Sequence, residues 1–152
     1  MQIVENPPAF KTNEIDREAE RLLRRLMYVD CLPDEKWDID NCRRIAPLTL
    51  EIQALKQERN AIVLAHSYVV PEIIYGIADH VGDSYQLSYE ASKTDADVIV
   101  FAGVVFMAET AKILSPEASV VVPDIGSGCS LADSLDAAEV TRLKMLYPEA
   151  QV

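Results

Sequence analysis

Apolar positions along the chain follow two different rhythms. Between about Asn13 and Tyr28, the residues Ile15, Ala19, Leu22, Leu23 and Leu26 recur at helical spacing and predict an amphipathic helix. The polar stretch "CLPDEKWDIDNC", with Pro33 and several aspartates, predicts a turn-rich connection. A second helix is predicted over about Leu48 to Arg59, with Leu48, Ile52 and Leu55 on one face. The rhythm then changes. "AIVLAHS", "DVIVFAG" and "SVVVPD" are short, nearly unbroken apolar runs, as in strands buried on both faces of a parallel sheet. Helical stretches separate or follow them. "PEIIYGIADHVG" is opened by Pro71, a favoured first helical position. "GDSYQLSYEASKT" has Asp83 or Ser84 as its N-cap. "FMAETAKIL" follows the second strand, and "SLADSLDAAEVTRLKMLYP" predicts a closing helix that begins just after Cys129. No low-complexity segment or obvious repeat interrupts the series.

Strands alternating with helices imply the α/β class: a three-layer α/β/α domain on a small parallel sheet, joined by right-handed crossovers. Residues 1–57 read as an α-helical N-terminal extension that packs on or beside this unit, and residues 58–152 as the unit itself. Three strands leave sheet edges that other chain must cover. "YPEAQV" stands where another strand could begin. Both features carry the expectation that more protein belongs here.

Composition narrows the partners. With 152 residues, of which 49% are hydrophobic, a packed core is expected and disorder is not. A formal net charge of −11 keeps the protein soluble and repels nucleic acid and anionic membrane, so neither is expected as a partner. An anionic ligand would need local donors set against that field. The first residues lack the basic start and apolar core of a secretory signal, and no apolar run nears the ~20 residues of a membrane span, so a cytoplasmic location is expected. Three cysteines, an odd number, do not suggest a disulfide framework.

Candidate chemistry clusters after strand ends, where open parallel sheets keep their sites. His66 and Tyr68 follow the first strand and share a side if the extended backbone continues. His66 reads equally as a structural hydrogen-bonder or as a partner of a carboxylate, and His80 falls near an expected helix end. Ser84 caps a helix or, together with the free N–H groups there, binds a carboxylate. Phe106 and Met107 read as core or pocket wall, and Glu109 as a solvated helical face. Cys129, in "GSGCS", sits at an expected helix N-terminus, where the dipole favours the thiolate that attacks or binds metal. A small hydrophobe filling a tight corner is the alternative. Cys31 and Cys42 are too far apart for a zinc-type pair and read as incidental. The phosphate-binding glycine loops and the zinc-protease helix motif do not occur.

Together, "ERNAIVLAHSYVVPEI", "VGDSYQLSYEASKTDADVIVFAGVVFMAETAKILSPEASVVVPD" and "GCSLAD" resemble quinolinate synthase, the A protein of bacterial NAD biosynthesis, from about Glu58 onward. The resemblance implies three similar α/β domains around a pseudo-threefold axis, of which this would be the first, in a truncated or partial chain. It implies a transferase that condenses iminoaspartate with dihydroxyacetone phosphate to quinolinate, losing phosphate and water. It further implies a [4Fe-4S] cluster held by three cysteines, one from each domain, whose open iron acts as a Lewis acid. Carried onto this sequence, Cys129 matches a cluster ligand, while His66 and Ser84 match residues that bind the iminoaspartate-derived molecule. Tyr68 matches a tyrosine implicated in proton handling. The sequence departs from the family pattern at Ser67 and Val69, where the family has "AHNYQ" or "AHYYQ", and at Val105, often polar in the family. Family members are roughly twice as long, as three ordinary domains require.

Alone, the chain is expected to be inactive and to assemble no cluster, because one matching cysteine replaces three. Three rival readings stay open: one subunit of a split enzyme completed by a second polypeptide, a non-catalytic dicarboxylate-binding module, and a thiol nucleophile pairing Cys129 with His66.

Overall fold

A computed structural model of the chain describes residues 9–29 and 37–150. Helices α1 (Thr12–Leu26) and α2 (Ile39–Glu58) form an antechamber of helical packing before the sheet begins. Glu14 turns back to accept the Lys11 N–H at 2.7 Å, which fixes the start of α1. Ala19, Leu22 and Leu26 interlock with Cys42 and Ala46 of α2 in a fully buried seam.

That seam explains a departure from expectation. α2 starts nine residues before the predicted Leu48, at Ile39, where Asp38 caps it by accepting the Asn41 N–H at 2.8 Å. Pro47 lies inside the helix instead of before it. An interior proline costs about 3 kcal/mol, and the burial of Cys42 and Ala46 against α1 outweighs that cost. The buried face therefore runs through Cys42, Ala46 and Thr49, while Leu48 is 60% exposed rather than central to it.

Strands β1 (Ala61–His66), β2 (His80–Gly82), β3 (Val98–Ala102) and β4 (Ser119–Val121) form one parallel sheet in the order β2-β1-β3-β4. β1, β3 and β4 fall where the apolar runs predict. β2 does not: the pattern of "PEIIYGIADHVG" predicts a helix that runs through "HVG". Helix α3 (Pro71–Gly76) stops earlier, and Asp79 steers the chain into the sheet. Its backbone N–H donates to the Val63 carbonyl, and its carboxylate accepts the Val63 N–H at 2.8 Å. His80 is thus an edge-strand residue paired with Leu64, 3.6 Å from Glu90, rather than a helix-end residue.

The sheet alternates faces with a period of two. Leu64, Ile99 and Phe101 point into a core closed by Leu87 and Ala91 of α4 (Ser84–Ala91) and by Met107, Ala108 and Ala111 of α5 (Val105–Leu114). The helices α1, α2 and α3 form the other layer, giving the expected three-layer α/β/α arrangement. A short ionic knot ties α1 to its neighbours α2 and α3 within this helical layer. Glu18, nearly buried, receives Arg21 through both oxygens and the Thr49 hydroxyl at 2.6 Å, and Arg21 also donates to the Gly76 carbonyl at 2.8 Å.

The closing segment also differs from expectation. No helix begins directly at Ser130 after Cys129. Residues 122–131 are irregular, a single 3₁₀ turn spans Ala132–Ser134, and α6 (Ala137–Leu146) starts only after Asp136 caps it. The chain cannot run straight into a helix here because the glycine-bearing loop first folds back over α5, as described next.

Candidate active site at the carboxyl edge of the sheet

In the order β2-β1-β3-β4, the chain leaves β1 toward one side and β3 toward the other. Their carboxyl ends therefore open a crevice between diverging loops, the usual ligand position in such sheets. A hollow of about 340 Å³ occupies it, walled by Tyr68, Ile73, Gly103, Val104, Ser127 and Gly128 among others. Residues following β1, β3 and β4 all contribute.

Tyr68 bridges the crevice. After His66 the backbone turns, with the Val69 N–H donating to the His66 carbonyl at 3.0 Å, so the extended geometry expected for residues 66–68 does not continue. The turn nevertheless stacks the His66 and Tyr68 rings, with centroids 3.9 Å apart and planes at 28°. The Tyr68 hydroxyl accepts the Val104 N–H at 3.0 Å across the crevice. Gly103 makes room for the Phe101 ring beside this bridge. A Cβ there would stand 3.0 Å from the Phe101 ring and 3.5 Å from the Tyr68 oxygen. The Tyr68 N–H also donates to His66 Nδ1 at 3.4 Å, a long bond that favours the neutral tautomer with its proton on Nε2.

Ser84 is the first residue of α4, and the cap is Asp83, which accepts the Gln86 N–H at 2.8 Å. With capping assigned to Asp83, the Ser84 hydroxyl is free of that task and lies 3.7 Å from the Met107 sulfur. Ser84 and Met107 line a second open hollow of about 540 Å³, with Tyr85, Ser88 and Phe106. Met107 is both core and pocket wall, and Phe106 is partly exposed wall. Glu109 is exposed.

Cys129 follows Gly128, a wall residue of the first hollow. Its loop is held to α5 by the Val105 N–H, which donates to the Ser127 carbonyl at 2.9 Å, and closed by the Asp133 N–H donating to the Cys129 carbonyl at 2.8 Å. Cys129 is half-buried in this loop, so the helix-dipole argument for its thiolate does not apply. Cys42 is sealed in the α1–α2 seam, where burial, then the nearby Asp38 charge, push its thiol up. Cys31 lies outside the described residues. No three His, Cys, Asp or Glu side chains converge on a metal-sized point among the described residues. Cys42 and Cys129, the cysteines among the described residues, lie in separate parts of the fold, one in the α1–α2 seam and one in the loop after β4. Of the two, Cys129 offers the accessible-edge thiol toward a multi-cysteine cluster.

The four sequence-chosen residues thus share one edge of the sheet but not one cavity. Tyr68 lines the first hollow and Ser84 the second, while His66 and Cys129 stand beside them. Sequence reasoning missed Val104, whose backbone N–H anchors Tyr68, and the wall formed by Ser127 and Gly128. The glycines of "GSGCS" were the only available signal for the latter.

The fold and edge define an α/β domain whose loops border a crevice at the switch point of a parallel sheet. The sequence comparisons narrow the class. Residues 50–152 match the family model described as "Quinolinate synthetase A protein" (NadA), and the chain belongs to that family. It is 53% identical over 107 residues to a quinolinate synthase of Caulobacter vibrioides, covering 70% of this chain and 29% of that protein. It is 43% identical over 150 residues to one of Sinorhizobium medicae, covering 99% of this chain and 40% of that protein. A third, from Xylella fastidiosa, is 56% identical over 94 residues, 62% of this chain and 28% of the relative. The chain therefore spans two fifths or less of the length of these relatives. Among the described residues no helix is long and apolar enough to cross a membrane.

Proposed function

We propose that the chain supplies the first α/β unit of a quinolinate synthase, which condenses iminoaspartate with dihydroxyacetone phosphate to quinolinate for NAD biosynthesis. The observation that carries this reading is that every loop lining the switch-point crevice lies inside the stretch matched to the family, residues 50–152. In this reading His66 donates its Nε2 proton to a substrate carboxylate, the tautomer favoured by the Tyr68 N–H on Nδ1. Ser84 and the first free N–H groups of α4 hold a carboxylate at the neighbouring helix start. Tyr68 accepts from Val104 and so keeps its own O–H proton available for transfer to or from a substrate oxygen.

Cys129 gives one of the three thiolates of a [4Fe-4S] cluster, and the other two come from polypeptide matching the rest of the relatives. When bound, that cluster supplies a Lewis-acidic iron for substrate oxygen. Because the chain spans two fifths or less of these relatives and one cysteine matches a cluster ligand, the 152-residue chain alone is proposed to be inactive. The enzyme is completed either in one longer chain or by a second polypeptide. A dicarboxylate-binding module is the second reading, favoured by the fact that the His66–Tyr68 stack and the start of α4 are complete within this chain.

The test joins residues 1–150 to the portion of the Sinorhizobium medicae relative beyond its match and assays quinolinate formation anaerobically. Activity that falls at least tenfold in His66→Ala and in Ser84→Ala supports the assignment. Full activity in both variants refutes it. Malate-like binding by the 152-residue chain that needs His66 and Ser84, with an inactive joined chain, selects the binding module.

A further inference from the structure

β2 lies at the sheet edge, pairs with β1 alone and buries no side chain of its own. A strand this short gains little from packing, so its register has to be fixed at its ends. The first anchor is Asp79, just ahead of it. One of its carboxylate oxygens takes the Val63 N–H, and the other accepts Lys56 Nζ at 2.7 Å. Lys56 also donates to the Ile77 carbonyl at 2.9 Å, and its side chain is only 10% exposed. An amine held so far out of water needs oxygens to meet it. Here both come from the turn that enters β2.

The other end of β2 reaches the candidate site. Gly82 pairs with His66, and its carbonyl accepts the Ser67 N–H at 3.0 Å. That bond holds the chain where it turns from His66 toward Tyr68. Asp83 follows as the cap of α4, and Ser84 as its first residue. A Cβ on Gly82 would stand 2.6 Å from Gln86 Oε1, so the first turn of α4 lies directly against the end of the strand. β2 therefore links His66, beside it, to Ser84, just beyond it. A slip of β2 by one residue would carry Ser84 about 3.3 Å past His66 and turn every residue of the strand to the opposite face.

We propose that Asp79, held by Lys56, is a positioning residue: it pins the register of β2 and so sets His66 and Ser84 at a spacing that one dicarboxylate spans. The ligand in this proposal rests on the reading of His66 and Ser84 as carboxylate-binding residues, whereas the pin itself does not. Neither Asp79 nor Lys56 touches the ligand. Both act through β2. Three substitutions separate the parts of the pin. Asp79→Ala removes the oxygen for Val63 and the partner of Lys56 together. Asp79→Asn keeps an oxygen for the Val63 N–H but loses the charge that faces Lys56. Lys56→Met keeps an unbranched apolar stem and removes only the amine.

The test has two readings. Hydrogen exchange of the Ser67 amide, relative to the amides of β3, is followed in the 152-residue chain. Malate binding is measured by calorimetry in that chain and in the joined chain. Asp79→Ala should speed Ser67 exchange about tenfold over β3 and weaken malate binding about tenfold. Lys56→Met and Asp79→Asn should move both readings the same way by a smaller factor. Glu18→Gln, which loosens only the helical layer, should speed Ser67 and β3 together and leave malate binding unchanged. In a Ser84→Ala background the effect of Asp79→Ala on malate should shrink, because the group it positions is gone. A Ser67 amide that gains nothing over β3 in Asp79→Ala overturns the proposal. So does a malate loss that adds in full to that of Ser84→Ala. If Asp79→Ala does not fold, Lys56→Met and Asp79→Asn decide the matter by the same two readings. If neither wild-type form binds malate, the functional reading falls, and the Ser67 amide alone decides the pin.

Discussion

The ionic knot at Glu18 gives a prediction whose size follows from the structure. Glu18→Gln keeps the shape of the side chain but removes its charge. The native carboxylate takes both Arg21 nitrogens, at 2.7 and 2.6 Å, and the Thr49 hydroxyl at 2.6 Å, while Arg21 carries the link onward to Gly76. Burial alone would raise the Glu18 pKa. The bonds from Arg21 and Thr49, with the charges of Arg21 and Arg25, outweigh burial and hold it below the ordinary carboxylate range. A fully buried pair broken on one side costs about 3–5 kcal/mol, and an exposed one about 0–1 kcal/mol. Glu18 is nearly buried but the Arg21 side chain is 31% exposed, so water recovers part of the loss. A loss of about 1.5–3 kcal/mol is expected, on the scale of charge-assisted hydrogen bonds. For a chain of this size it lowers Tm by roughly 3–12 °C.

The pH dependence has a definite sign. Since the folded-state pKa is depressed, the contribution is complete above the unfolded carboxylate value, about 4.3. It fades as pH falls through the lower folded value. Urea unfolding at pH 7 and again between about pH 5 and 3 should show wild type converging on Glu18→Gln as the acid limit is approached. A gap below about 0.5 kcal/mol at pH 7, or one that does not narrow in acid, refutes the view that this knot clamps α1 to α2 and α3.

Three further outcomes follow from the geometry. Phe101 is fully buried between the sheet and α5, so Phe101→Ala should cost about 3–5 kcal/mol in urea unfolding. Iodoacetamide should alkylate half-buried Cys129 at least tenfold faster than Cys42, whose thiol is sealed and pushed up, as read by peptide mass spectrometry. Tyr68→Phe should cost only about 0.5–1 kcal/mol of stability, because water can reach the Val104 N–H it leaves, yet should lower quinolinate formation by the joined chain at least tenfold.

The elements legible in the sequence were those whose burial pattern is locally complete. β1 and β3 are apolar on both faces and read as buried strands, and Asp83 announces the start of α4. β2 was illegible because its place in the sheet is decided by Asp79 bonding to Val63, sixteen residues earlier, not by any pattern within "HVG". The start of α2 was hidden by Pro47, whose local penalty is overridden by packing against α1. At the site, sequence brought His66 and Tyr68 together through their spacing, but the structure joins them through a turn. The bond from Val104 to Tyr68 spans thirty-six residues and left no local trace. The loop at Cys129 read as a helix start because glycine followed by a polar run is an ordinary helix entry. In the structure its carbonyls serve α5 and Asp133 instead.

The central claim is that Cys129 provides one thiolate of a cluster shared with polypeptide beyond these residues. Iron content per chain after anaerobic reconstitution with iron and sulfide tests it most directly. The joined chain should hold about four irons, and the 152-residue chain alone should hold no stoichiometric cluster. Cys129→Ala should leave the joined chain without a stable cluster. About four irons in the 152-residue chain alone, or an undiminished cluster in the Cys129→Ala joined chain, would contradict the account.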